Sequence, residues 1–74
     1  MLFIDYASSI GINLNRDDIN FISKHIKRIV KSKRRAIVMR YCEIWVDGMA
    51  LENVEHRKMT HGRRVANIWL LENT

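Results

Sequence analysis

No proline interrupts the 74 residues, and glycine occurs only at positions 11, 48 and 62. Proline and glycine are the strongest local breakers of regular structure, so a chain this poor in both can run as long helices. Strand-favouring residues are scattered, and no sustained alternation of apolar and polar residues appears. The expected fold class is therefore all-α, a small four- to five-helix bundle within one domain, residues 1–74.

Such a chain buries only about 60% of the surface it exposes when unfolded, which makes independent stability marginal. The single cysteine, Cys42, provides neither an intrachain disulfide nor a cysteine-based metal site. It sits in an apolar helical pattern and reads as a small core residue. Self-association as a homodimer is a natural expectation for so small a core. Met1-Leu2-Phe3-Ile4 reaches Asp5 without a basic leader or a long apolar run, so the opening predicts neither a signal peptide nor a membrane span. The free cysteine suits a reducing, cytoplasmic location.

Along the chain, Leu2, Phe3, Tyr6 and Ile10 offer one side of a short helix over 2–10, which Gly11 stops, although Ile4 and Ile12 fit a short extended segment just as well. Asn15 is a suitable N-cap, Asp17 and Asp18 place acid in the first turn, and Leu14 and Ile19 stand at the two positions of a hydrophobic staple. The helix that follows, about 16 to 31, carries Ile19, Ile22, Ile26, Ile29 and Val30 on one side, with Lys24, Lys27, Arg28 and Lys31 nearly opposite. Ser32 can cap a third helix, about 33 to 47, whose wide apolar arc ends in Tyr41-Cys42-Glu43-Ile44-Trp45. Asp47-Gly48 is expected to end it, since glycine adopts the left-handed conformation of a helix C-terminus without steric cost. A short fourth helix, about 50 to 58, would turn Leu51 and Val54 inward. Thr60 would cap a fifth, about 61 to 72, with Val65, Ile68 and Trp69 towards the core. Gly62 in its first turn leaves room for close approach of another backbone.

The charge is unevenly spread. Thirteen Lys and Arg against eight Asp and Glu give a formal +5, and Lys24, Lys27, Arg28, Lys31, Lys33, Arg34 and Arg35 fall in one run without an acid. Arg57, Lys58, Arg63 and Arg64 form a second group. A phosphate backbone or an acidic protein surface is the natural partner of such runs. Two short helices joined by a tight turn, the second bearing basic and amide side chains near its start, place a recognition helix in a major groove. Arginine bridges guanine O6 and N7, and asparagine pairs with adenine, so Arg63, Arg64 and Asn67 are the expected base contacts. Lys24, Lys27, Arg28, Lys31, Lys33, Arg34, Arg35, Lys58 and His61 are the expected phosphate contacts.

Arg34-Arg35-Ala36-Ile37-Val38-Met39-Arg40-Tyr41, followed by Gly48, Val54 and Val65, resembles the helix-turn-helix of sigma factor region 4 and of phage antiterminator proteins of the Q type. The resemblance covers 34–72 and implies a C-terminal helix-turn-helix and a role in transcription. The chain departs from those families at Glu55, where a small residue is usual, and at Lys58 and Met59, where leucine and glycine shape the turn.

Other chemistries find little support. His56 and His61 lie five residues apart across an expected turn with no cysteine or HExxH pattern, so no metal is expected. No nucleophile motif or phosphate loop is present and a bundle this size has little room for a pocket, so neither catalysis nor a cofactor is expected. Phe21 falls outside the isoleucine stripe and should pack against the N-terminal segment or face a partner. One of Leu70 and Leu71 should point outward. The leading expectation is a small basic DNA-binding regulator from a phage or mobile element. The alternative is a module that docks on an acidic surface of a host enzyme or transcription complex; RNA is a third target, although interleaved aromatics for stacking are lacking.

Overall fold

A computed structural model describes residues 3–74, with the side chains from Ile4 onward. It contains four α-helices: α1 (Phe3–Ser9), α2 (Arg16–Ile26), α3 (Lys31–Leu51) and α4 (Lys58–Glu72). The described residues contain no strand. Leu2 and the side chain of Phe3, expected on the apolar side of the first helix, lie outside the described residues. Gly11 has φ +89° and turns the chain after α1, a conformation that L side chains rarely adopt.

The start of α2 is set locally. Asn15 accepts the Asp18 N–H on Oδ1 at 2.8 Å, and Asp18 Oδ2 accepts the Asn15 N–H at 3.1 Å, a complete capping box. Its end comes earlier than the periodicity predicts. The β-branched pair Ile29–Val30 leaves the helix, and Val30, expected in the apolar stripe, is exposed and extended at the entry to α3. Arg34 turns back and donates from Nε to the Ile29 carbonyl at 3.0 Å and from its terminal nitrogen to the Lys27 carbonyl at 3.4 Å. It thereby satisfies groups that a longer α2 would have satisfied itself. Ser32 does not cap α3, which begins at Lys31 with no side-chain cap.

Gly48 does not end α3. The helix runs on to Leu51, and Gly48 is buried where α3 and α4 cross, its missing Cβ standing only 3.1 Å from the Gly62 Cα. The expected helix over 50–58 is replaced by a single 3₁₀ turn, Glu55–Arg57. Leu51 and Val54, expected inward, are exposed, Leu51 by 77%. Facing pairs Tyr41–Asn67, Trp45–Gly62 and Met49–Lys58 show that α3 and α4 run antiparallel as a helical hairpin.

α4 starts at Lys58, so Thr60 lies inside the helix rather than capping it. The row it buries is Gly62, Ala66 and Leu70, not the expected Val65, Ile68 and Trp69; Ile68 is 52% exposed, while Val65 and Trp69 are half-buried. Leu71 points outward and Leu70 inward. The core joins Ala7, Ile12, Ile22, Val38, Tyr41, Cys42, Trp45, Ala66 and Leu70. Phe21 packs against this core and stacks on His25 at 4.3 Å between ring centroids.

Burial pushes the Cys42 thiol up to about 11 and the Tyr41 hydroxyl well above its usual range, so neither ionises readily in the folded chain. Both groups have raised folded values, so their contribution is intact below the unfolded thiol value of 9.0 and fades as pH rises through 11. Stability should fall by about 2 kcal/mol between about pH 8.5 and 10.5 from the thiol alone. Urea midpoints at pH 8.5 and 10.5 test this, and an identical fall in Cys42→Ala would remove the thiol from the account.

Candidate nucleic-acid interface

The expected phosphate contacts separate into free and committed side chains. Lys24, Lys27, Arg28, Lys31, Lys33 and Arg35 are exposed around the end of α2 and the first turns of α3, and none forms a salt bridge among the described residues. Arg34 belongs to the α2 end described above. Lys58 is half-buried and donates from Nζ to the Met49 carbonyl at 3.5 Å, closing the end of α3. His61 lies apart from these residues, in an open groove beside the hairpin connection.

Two of the three expected base contacts point inward rather than away from the core. Arg63 donates from Nε to Asp18 Oδ1 at 2.8 Å and from a terminal nitrogen to Oδ2 at 3.2 Å, with the guanidinium 5.1 Å from the Trp45 ring centre. The Asp18 side chain is 5% exposed and that of Arg63 30%. One carboxylate thus closes the cap of α2 and anchors α4, while the arginine holding it covers a buried tryptophan of α3. Asn67 accepts the Tyr41 hydroxyl proton on Oδ1 at 2.6 Å. Nearby, Trp45 Nε1 donates to Met59 Sδ at 3.3 Å. No buried side-chain nitrogen or oxygen among the described residues lacks a partner. Arg64 alone of the three is exposed, on an outward row of α4 with Ile68 and Leu71.

The groove holding His61 was not anticipated as a unit. Glu52, His56, Arg57, Thr60, His61 and Arg64 line about 470 Å³ beside the first two turns of α4. Arg57, His61 and Arg64 recur at the spacing of one helix face, a signal present in the sequence. The described residues contain no cluster of three or more His, Cys, Asp and Glu suited to a metal ion. No described helix is long and apolar enough to cross a membrane. Comparison of the chain with family models, curated proteins and solved structures gives no match.

Proposed function

We propose that this protein binds double-stranded DNA chiefly through the phosphate backbone, using the end of α2 and the first turns of α3. The observation that carries the reading is the surface formed by Lys24, Lys27, Arg28, Lys31, Lys33 and Arg35, exposed and without salt bridges among the described residues. The first turn of α3 contains no acid and is crowded by Lys31, Lys33 and Arg34. A helix start favours negative charge, and α2 has it in Asp17 and Asp18. A backbone phosphate would relieve the repulsion at α3. On this reading α4 is the recognition helix of a helix-turn-helix-like pair with α3. Of the three expected base contacts only Arg64 is exposed, while Arg63 and Asn67 hold the helix in place. Regulation of transcription in a phage or other mobile element is the setting that the resemblance suggests.

Fluorescence anisotropy with a 20-base-pair duplex tests the reading. Contact with about five phosphates lowers affinity several-hundred-fold, to order of magnitude, between 50 and 200 mM salt. The Arg28→Ala/Lys33→Ala double variant should weaken binding to all sequences alike and reduce the salt slope by about 2. Salt-independent affinity, or no binding to any duplex, overturns it.

A second reading rests on Ile68 and Leu71, 52% and 55% exposed beside Arg64. An arginine beside an exposed apolar pair suits a partly apolar, acidic protein surface, or a second copy of the chain. A defined partner retained from nuclease-treated lysate and lost in Leu71→Ser favours docking. A concentration-dependent dimer in sedimentation favours the second copy.

A further inference from the structure

We infer that the groove beside the first turns of α4 is a binding site for a single tetrahedral oxyanion, a phosphate group. Its lining combines Arg57 and Arg64 with His56, His61 and the hydroxyl of Thr60 around about 470 Å³. Neither arginine forms a salt bridge among the described residues. The one carboxylate present, Glu52, accepts the Val54 N–H on Oε1 at 3.1 Å; that bond first, and then nearby His61 and Arg57, hold its carboxyl below the usual range. Thr60, His61 and Arg64 lie in the first two turns of α4 and Arg57 ends the 3₁₀ turn before it, at three- and four-residue spacings that let their donors converge on one ligand. Guanidinium forks match two oxygens of a phosphate, and imidazolium and hydroxyl groups supply further donors.

With both imidazoles neutral the formal charge of the groove is +1, two arginines less Glu52. The groove lies at the opposite end of α3 from the Lys24–Arg35 surface, and the inference does not depend on duplex binding.

The test is a backbone-amide NMR titration of the full chain with sulfate, a dianion whose charge is constant over pH 6–8, against chloride at matched ionic strength. Saturable shifts are expected at His56, Arg57, Thr60, His61 and Arg64. Arg57→Gln and Arg64→Gln should each weaken binding about tenfold, the effect of about one charge on a dianion at roughly 5 Å in water. Since Arg57 and Arg64 are exposed, an unchanged amide spectrum elsewhere confirms that the variants fold. Shifts that grow linearly, match those of chloride, or saturate only among residues 24–35 overturn the inference.

A duplex with 5′-hydroxyl ends then distinguishes the source. Movement of the groove resonances with this duplex assigns the phosphate to a nucleic-acid backbone. Saturation with sulfate and no movement with duplex assigns it to a small phosphorylated ligand. Loss of duplex binding with sulfate saturation intact would count against the DNA reading alone.

Discussion

Gly62→Ala is expected to lower stability by about 2–3 kcal/mol, a fall in melting midpoint of roughly 10–20 °C for a domain of this size. A Cβ at this position would stand 2.5 Å from the Trp45 carbonyl oxygen, 2.6 Å from its Cδ1 and 2.8 Å from the Met49 Cγ. The first of these is helix backbone and the second belongs to a fully buried side chain, so relief requires α3 and α4 to separate. Alanine regains only about 1 kcal/mol of helix propensity. Gly48→Ala is the milder change, because its nearest neighbours would be at 3.1 and 3.3 Å. Thermal unfolding by circular dichroism measures both, and an unchanged midpoint for Gly62→Ala would mean that the helices do not cross there.

Arg63→Ala is expected to cost about 2–4 kcal/mol. Removing one partner of a buried ion pair typically costs about 3–5 kcal/mol; the partial exposure of Arg63 lowers this figure, while the loss of its cover over Trp45 adds to it. Asp18 would be left with the Asn15 N–H as its remaining donor. Arg63→Lys keeps the charge but not the fork and should fall between. The adjacent Arg64→Ala should stay within about 0.5 kcal/mol of the parent, as exposed substitutions usually do. Urea unfolding of the three variants separates the two arginines. Equal, small effects would show that the Asp18 pair does not hold the fold.

These two predictions fall where sequence reading was least successful. The start of α2 was legible because its cap is made by Asn15 and Asp18, three residues apart, and needs nothing from elsewhere. Gly48 suggests a helix end by local rules, but α3 runs through it and the position serves the close approach of Gly62 from α4. The buried face of α4 is hidden in the sequence because Gly62 and Ala66 carry little hydrophobic signal, although their small size lets the helices meet. Arg63 and Asn67 look like surface residues until Asp18 and Tyr41, 45 and 26 positions away, provide partners. The cationic run was legible, since charge is read directly from composition. The commitment of Arg34 and Lys58 to helix-end carbonyls was not, because it depends on where α2 and α3 stop.

α3 also sets a distance. Its 21 residues pass through Gly48 without a break, a length of about 30 Å at 1.5 Å per residue. The cations before and at its start and the groove beside its last turns are thus held apart by a single rod. Were both to bind as proposed, a compact anion would occupy one at a time, whereas an extended polyanion on the scale of one duplex turn, about 34 Å, would engage both, the second contact forming at the effective concentration that the first creates. The helix that carries the core would then also act as a gauge of ligand length.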